Sequence, residues 1–262
     1  MSEIDSSAPH SARVWNYWLG GEDNYPADRE LGELILTDFP EMGDVARAQR
    51  MFLMRAVTHM ATELGIRRFL DLGTGLPTTN NTHEIAQAAL PEARVVYVDN
   101  DPLVLAHARA LLVGSSEGAT EFVDADVRRP ATVLEAAANT LDLDRPVGVT
   151  MLGILGHMTH EDAVPLVRSY MASLPSGSCL AVADSTDTSE GMRRAAEAWN
   201  ADAVMPYILR TPKQFADYFE GMELVEPGVV PALEWRRGTI DVGTGDGVPT
   251  AADEYCGLAR TR

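Results

Sequence analysis

The chain has 262 residues and opens with apolar positions at helical spacing. Between Ser11 and Leu19, Val14 is followed by apolar residues one, four and five positions later. This spacing predicts one apolar side of a short helix. Gly20 and Gly21 follow and end it, because glycine suits the position just past a helix. A second helix is predicted from Asp44 to Leu64, where apolar residues repeat every four positions. Both helices precede any strand, so we expect residues 1–65 to form an N-terminal helical cap.

From residue 68 onward, short apolar runs alternate with helical stretches. The runs that predict strands are Phe69–Leu72, Val95–Val98, Glu121–Val123, Val147–Leu152, Cys179–Ala183, Leu224–Val230 and Tyr255–Ala259. The residues that predict helix starts are Asn81, Asp101, Thr159 and Thr211. Strands separated by helices pair in parallel through crossover connections. We therefore predict an α/β fold with a doubly wound, mostly parallel seven-stranded sheet, built as one compact domain over residues 66–262. The last two runs lack a helix between them and are compatible with an antiparallel hairpin.

Composition excludes several classes of function. The formal net charge is −18, and no Lys/Arg-rich stretch offsets it, so a nucleic-acid partner is disfavoured. Cys179 and Cys256 lack the spacing of a metal site, and we expect neither a metal nor a disulfide. Met1–Pro9 has no apolar signal region, and the run Val147–Leu155 is too short to span a bilayer. The expectation is a cytoplasmic protein with no membrane partner, and the sequence does not indicate an oligomeric state.

A glycine-rich turn follows the first predicted strand. The sequence Phe69-Leu-Asp-Leu-Gly-Thr-Gly75 places Gly73, Thr74 and Gly75 at the strand end. Glycine lets the backbone turn sharply and approach a ligand closely. A tight strand-to-helix turn without a ligand is the alternative for this motif alone.

Acidic residues end the next two strands. Asp99 lies 26 residues after Gly73, about one βαβ unit further on, where a carboxylate can accept the hydroxyls of a ribose. Capping of the following helix is the alternative, although Asp101 suits that role better. Asp126 follows the third strand and can accept from an adenine amine, or it is a solvated loop residue. Together these strand ends indicate a cofactor that contains adenosine.

The glycine loop distinguishes between such cofactors. It continues Gly-Leu-Pro-Thr78 and lacks the third glycine of the dinucleotide-binding pattern, which argues against a nicotinamide dehydrogenase. Asp71 stands just before the glycines, where a carboxylate suits an ammonium group better than a phosphate. The residues therefore favour a cofactor with an adenosine and an ammonium but no phosphate.

At this point the chain resembles a known family, the actinobacterial S-adenosyl methyltransferases formerly classified as a domain of unknown function. The resemblance runs from about Pro9 to the C-terminus. The segments that carry it are Leu19-Gly-Gly-Glu-Asp-Asn-Tyr25, Asp28-Arg-Glu30, Phe69-Leu-Asp-Leu-Gly-Thr-Gly-Leu-Pro-Thr78, Val95-Val-Tyr-Val-Asp-Asn-Asp-Pro102, Leu141-Asp-Leu-Asp-Arg-Pro-Val147, Leu224-Val-Glu-Pro-Gly228 and Trp235-Arg236.

The resemblance implies a class I, Rossmann-like methyltransferase that uses S-adenosylmethionine. It implies that Gly73 to Gly75 hold the methionine part of the cofactor, with Asp99 on the ribose. It also places Asp126 and Val127 at the adenine, with Asn100 beside the adenine ring. The chain differs from related sequences at Gly156, which precedes a histidine where those sequences read Leu-His. This difference affects the expected shape of the acceptor side.

The acceptor side is the least determined part of the sequence. His157 follows the fourth strand at the expected mouth of the site and is the candidate general base, with a structural loop histidine as the alternative. Asn24 and Tyr25 lie in a polar segment of the cap and are candidates for the substrate side. The function expected is methyl transfer to an unidentified small molecule. A non-catalytic module that binds S-adenosylmethionine or S-adenosylhomocysteine is the alternative.

Overall fold

The computed structural model describes residues 5–111, 114–238 and 253–262. Within them the helices are Ser11–Trp18 (α1), Pro26–Asp38 (α2), Met42–Thr62 (α3), Thr82–Ala89 (α4), Pro102–Leu111 (α5), Pro130–Ala137 (α6), His160–Ala172 (α7), Glu190–Asp202 (α8) and Pro212–Ala216 (α9). The strands are Arg68–Leu72 (β1), Arg94–Asp99 (β2), Ala119–Asp124 (β3), Gly148–Leu152 (β4), Cys179–Ser185 (β5), Glu223–Leu224 (β6), Val230–Pro231 (β7) and Glu254–Arg260 (β8).

The strands form one sheet in the order β3-β2-β1-β4-β5-β8, with β6 and β7 sharing the edge beyond β8. The first five strands of the chain pair in parallel, and β8 runs antiparallel to its three partners. The described residues thus fill seven strand positions in a doubly wound, mostly parallel sheet, as predicted.

The single strand predicted over Leu224–Val230 is wrong. Two short strands replace it, because Pro227 has no backbone N–H to donate and Gly228 is left-handed with φ of 88°. Proline cannot donate to a strand ladder, which confines it to edges and breaks. The expected antiparallel pairing with the last strand is confirmed, whereas most of the connection between them, residues 239–252, lies outside the described residues.

Side chains of the sheet alternate between two core layers, as the two-residue period of a strand requires. In β2, Val95 and Tyr97 face one layer, while Val96 and Val98 face the other. Phe52 brings α3 into the first of these layers, where it packs with strand residues. The second predicted helix therefore covers the sheet itself.

A third apolar cluster joins α1 and α2 to α8 and the first turns of α3. Its largest buried members are Val14, Trp18, Leu31, Ile35, Phe39, Met42, Met192 and Trp199. The sequence pattern does not predict α2, because its inward face also carries Asp28 and Gly32, which weaken the apolar signal. The division between a cap of residues 1–65 and a domain of residues 66–262 stays a prediction about folding units.

Asp28 fastens α1 to α2. Its carboxylate accepts hydrogen bonds from the backbone N–H groups of His10 (2.9 Å) and Tyr25 (2.8 Å) and from Nε of Arg13 (3.1 Å). The Asp28 side chain is fully buried and that of Arg13 nearly so. Buried charges persist only when they are paired and hydrogen-bonded, so this one carboxylate holds the two helices together.

The ends of the predicted helices follow the expected chemistry. Gly20 and Gly21 donate to the carbonyl oxygens of Tyr17 (2.9 Å) and Asn16 (2.8 Å), which is the double hydrogen bond of a Schellman cap after α1. The side chain of Asp101 accepts from the Leu103 N–H (2.7 Å) at the start of α5. These caps fix where the loops of the sheet's carboxyl edge begin and end.

Candidate active site

The carboxyl ends of the first four strands border an open cleft of about 160 Å³. Residues that follow β1 and residues that follow β4 both line it. The strand order changes direction between these two neighbours, because β2 and β3 lie beyond β1 while β5 lies beyond β4. Ligands of doubly wound sheets bind at this switch point. The opposite wall is α1, which contributes Ala12, Trp15 and Asn16.

The glycine loop forms the floor of the cleft. Gly73 and Gly75 have φ angles of 71° and 66°, a region that favours glycine. A Cβ on Gly73 would lie 2.6 Å from the side chain of Ile154, so the loop after β1 packs directly against the loop after β4. The Gly73 N–H also donates to the Val98 carbonyl oxygen (2.9 Å). Gly73, Thr74 and Gly75 therefore lie together in a tightly fixed turn that lines the cleft.

Asp99 links this loop to the end of β2. Its carboxylate accepts from the backbone N–H groups of Gly75 (2.9 Å), Asn100 (2.8 Å) and Asp101 (3.0 Å). Burial raises the pKa of Asp99, while these three donors lower it. Asp99 and the exposed Asn100 both line the cleft.

Asp71 lies beneath the loop and outside the lining of the cleft. Its Oδ2 accepts a hydrogen bond from Oγ1 of Thr82 (2.6 Å), and the side chain is buried. Burial raises the pKa of Asp71. Its placement supports the strand-to-helix turn from below.

Asp126 and Val127 line the far end of the cleft. The guanidinium of Arg128 donates two hydrogen bonds to the Asp126 carboxylate, from Nε to Oδ1 (2.9 Å) and from Nη2 to Oδ2 (2.7 Å). The hydrogen bonds and charge of Arg128 hold the pKa of Asp126 below its usual range. The Val127 carbonyl oxygen accepts from the hydroxyl of Tyr170 (2.7 Å), which fixes this loop against α7.

Several cleft residues carry no signal in the sequence. Arg50 of α3 lines the cleft and donates to the carbonyl oxygens of Thr79 (3.2 Å) and Asn80 (2.8 Å) beyond the glycine loop. His10 lies in the polar segment before α1, with its Nδ1 2.7 Å from Oδ2 of Asp101. Both residues lie in segments that do not follow a strand, and the sequence prediction of the cofactor side considered strand ends only. Their position at the cleft is visible only in the folded chain.

His157 ends a 3₁₀ turn that follows β4. Its Nδ1 lies 2.9 Å from the carbonyl oxygen of Pro206. A carbonyl oxygen only accepts, so Nδ1 carries the proton and Nε2 of the neutral ring keeps its lone pair. Desolvation by burial lowers the pKa of His157, which favours this neutral form.

Gly156 makes room for an aromatic ring. A Cβ at this position would lie 2.4 Å from the ring of Tyr207. That ring stands edge-on to His157 with centroids 5.2 Å apart, and its hydroxyl donates to buried Asp184. The departure from Leu-His therefore has a structural reason, because Tyr207 occupies the space that a larger side chain would need.

A second, apolar compartment of about 30 Å³ adjoins the cleft and shares Trp15 and His157 with it. Its other walls come mainly from α1, α2, α3 and α8: Trp18, Ile35, Met42, Met192, Trp199 and Tyr207. Ser185, at the end of β5, also lines it. His157 thus stands at the junction between a polar cleft and an apolar compartment.

Asn24 and Tyr25 lie outside the lining of both cavities. Nδ2 of Asn24 donates to Oδ1 of Asn16 and to the Gly21 carbonyl oxygen, both at 2.9 Å. The ring of Tyr25 packs beside an apolar cluster under α5 and receives the guanidinium of Arg13 at 5.2 Å. In this arrangement both residues brace the joint between α1 and α2.

The described residues contain no group of three or more His, Cys, Asp and Glu side chains placed to hold a metal ion. In the same part of the chain, none of the helices is both long and apolar enough to cross a membrane.

Comparisons with known proteins find matches that extend over nearly the whole chain. The family model described as S-adenosyl methyltransferase matches residues 1–262. A DUF574 family protein from Streptomyces avermitilis is 44% identical, with 99% of this chain and 100% of that chain covered and a TM-score of 0.92. A protein from Thermobifida fusca is 36% identical, with 98% and 97% covered and a TM-score of 0.88. An S-adenosylmethionine-dependent methyltransferase from Anabaena variabilis shares the fold at 13% identity, 100% and 99% coverage and a TM-score of 0.55. A comparison with curated proteins finds no match.

Proposed function

The chain belongs to the S-adenosyl methyltransferase family, and on that premise we propose that it methylates a hydroxyl group of a small molecule with His157 as the general base. Its cofactor is S-adenosylmethionine, and membership of the family does not favour the non-catalytic module. When bound, the cofactor would supply a methyl group carried on a sulfonium sulfur. The acceptor oxygen would bond to this methyl carbon as the carbon–sulfur bond breaks and S-adenosylhomocysteine leaves, and Nε2 of His157 would accept the hydroxyl proton.

The residues of the cleft fit this cofactor. The backbone at Gly75 leaves room above the loop, because a Cβ there would meet only the Ala12 side chain, at 3.9 Å. Asp99 has carboxylate lone pairs for ribose hydroxyls, and Asp126 offers an acceptor for an adenine amine, with Asn100 and Val127 beside it. A cationic group at the glycine end would meet the carboxylate of the methionine part.

Arg50 is the candidate for that cationic group. Its guanidinium reaches the loop beyond the glycines, and arginine binds carboxylates through two parallel hydrogen bonds. Asp71 would act from beneath the loop, through the turn that it supports, and Thr74 would contact the cofactor directly.

The observation that carries the proposed chemistry is the hydrogen bond between Nδ1 of His157 and the Pro206 carbonyl oxygen. It leaves Nε2 as the basic atom at the junction of the two cavities, and burial keeps the ring neutral near pH 7. A neutral imidazole with a free Nε2 can accept the proton that an attacking hydroxyl loses.

Nitrogen-15 NMR of the histidine rings tests this without a known acceptor. We expect His157 to show the tautomer protonated at Nδ1 and a pKa below 6.5, the ordinary value for histidine. His157→Gln identifies the signal, and His160→Gln is the matched control, because His160 lies at the start of α7 and pairs with Asp217 (3.1 Å). A ring protonated at Nε2, or a pKa above 6.5, contradicts the proposed base.

Composition supports the remaining parts of the proposal. The net charge of −18 disfavours nucleic acid as an acceptor. Asn24 and Tyr25 would contribute to the substrate side indirectly, by holding α1 in place as a wall of the cleft.

A further inference from the structure

The apolar compartment beside His157 is built mainly from aromatic rings. Trp15 and Trp18 meet edge-on with centroids 5.6 Å apart, and Trp199 lies 6.4 Å from Trp18 and 6.2 Å from His157. Aromatic rings prefer such edge and offset contacts with further rings over contacts with water. A flat aromatic group is therefore the ligand that this lining accepts best.

Ser185 brings a hydroxyl group to the lining of the compartment. Ser185 is 4% exposed, and among the described residues its Oγ has no hydrogen-bond partner. Buried polar atoms are nearly always hydrogen-bonded, so an unpaired hydroxyl here indicates a partner supplied by a ligand. A second hydroxyl or a carbonyl on the aromatic compound fits this position.

The mouth of the cleft is apolar on the same side. The segment after α8 exposes Met205 (40%) and Ile208 (37%), and Met205 lines the cleft. The segment is fixed in place, since Nε1 of Trp199 donates to the Met205 carbonyl oxygen at 2.8 Å. Apolar residues exposed together at the rim of a cavity mark a ligand-binding surface.

The lining of the compartment includes flexible side chains. At about 30 Å³ the compartment is smaller than an aromatic ring requires. Met42 and Met192 form part of its lining, and methionine side chains change shape readily because they are unbranched and have three rotatable bonds. Entry of a ring therefore displaces these two side chains while Trp15 and Trp199 keep their places.

We propose that the acceptor is a neutral, flat aromatic compound that carries a hydroxyl, with its ring between Trp15, Trp199 and Met205 and its hydroxyl at His157. This inference rests on the proposed function and specifies its acceptor. A second polar substituent bonds to Oγ of Ser185. The net charge of −18 disfavours anionic aromatic compounds.

Calorimetry with 2-naphthol as the probe tests the inference on the full chain, after saturation with S-adenosylhomocysteine. We expect 2-naphthol to bind at least tenfold more tightly than decahydro-2-naphthol, which has a similar skeleton but is not flat. Met205→Asp should weaken 2-naphthol at least fivefold, because it places a charge at the rim. Val204→Asp is the matched control and should change it less than twofold, since Val204 is more exposed and lies outside the lining.

The possible failures separate cleanly. If S-adenosylhomocysteine does not bind, the proposed function fails at the cofactor, and the inference that rests on it falls with it. If S-adenosylhomocysteine binds but 2-naphthol does not, the aromatic acceptor alone is overturned. Equal binding of the flat and the saturated compound, or equal effects of Met205→Asp and Val204→Asp, also overturns it.

Discussion

The cofactor side and the acceptor side of the cleft are built in different ways. The cofactor side consists of the ends of consecutive strands, and its functional groups are backbone N–H groups and carboxylates around Gly75, Asp99 and Asp126. The acceptor side includes aromatic side chains from elements far apart in the sequence, such as Trp15 of α1 and Trp199 of α8. One side is polar and local, whereas the other is apolar and assembled over long range.

This difference teaches where each function is specified. Parallel strands bring their carboxyl ends to one edge by topology alone, so the cofactor side follows from the fold. The acceptor side depends on whether α1 stays docked, and both the buried carboxylate of Asp28 and the apolar cluster with α2 and α8 hold it there. A change at His157, away from the glycine loop and the carboxylates, should therefore affect the acceptor while leaving the cofactor affinity nearly unchanged.

The largest expected effect comes from releasing α1. Asp28→Ala leaves the buried guanidinium of Arg13 without its carboxylate partner, which should lower the free energy of unfolding by about 3–5 kcal/mol. Urea denaturation measures this change. Glu30→Ala removes an exposed carboxylate from the same helix and should have an effect within about 0.5 kcal/mol. Equal losses in the two variants would show that the acceptor wall does not depend on Asp28.

The next prediction concerns the pH dependence of the free energy of unfolding, to which a buried carboxyl group beneath the acceptor side contributes. Burial raises the pKa of Asp184 from 3.8 to about 6. Between those values the folded state binds the proton more tightly than the unfolded state. The stability that protonated Asp184 contributes is therefore full below pH 3.8 and is lost as the pH rises to about 6.

Asp184→Asn isolates this contribution, because asparagine does not titrate. The stability of the natural protein relative to the variant should fall by about 3 kcal/mol between pH 4 and pH 7. Thermal unfolding of both proteins across this range measures the difference. A difference that is independent of pH means that Asp184 is ionised in the folded protein throughout.

A smaller effect is expected on the cofactor side. Asp99→Ala removes the carboxylate that fastens the glycine loop and would accept ribose hydroxyls. Binding of S-adenosylhomocysteine should weaken by about 1.5–3 kcal/mol, or roughly ten- to a hundredfold. Asp124→Ala is the control, because Asp124 ends the neighbouring strand but lies outside the cleft lining. An unchanged affinity in Asp99→Ala would make Asp99 a loop residue only.

The contrast also explains how far the sequence predicts the molecule. Strand ends, the glycine turn and helix caps such as Asp101 depend on neighbours within a few residues, and the structure has them where the pattern indicates. The family resemblance is confirmed by the family match over the whole chain. His157 is placed at the mouth of the cleft because its position depends only on where β4 ends.

The remaining features depend on contacts between distant segments. The contact between Tyr207 and Gly156 joins positions that are 51 residues apart in the sequence, so no local pattern predicts it. Arg50 lies on a helix whose apolar side packs against the sheet. The apolar pattern predicts this helix but does not predict which of its polar residues reach the cleft. The break at Pro227 and Gly228 shows the opposite case, because those two residues were a visible reason against a continuous strand.

The most direct test of the two-sided account is calorimetric titration of S-adenosylhomocysteine into the natural protein, Asp99→Ala and His157→Gln. His157 borders the cleft but serves the acceptor, so His157→Gln should change the affinity less than twofold while Asp99→Ala loses at least tenfold. A loss in His157→Gln as large as that in Asp99→Ala would contradict the separation of the two sides.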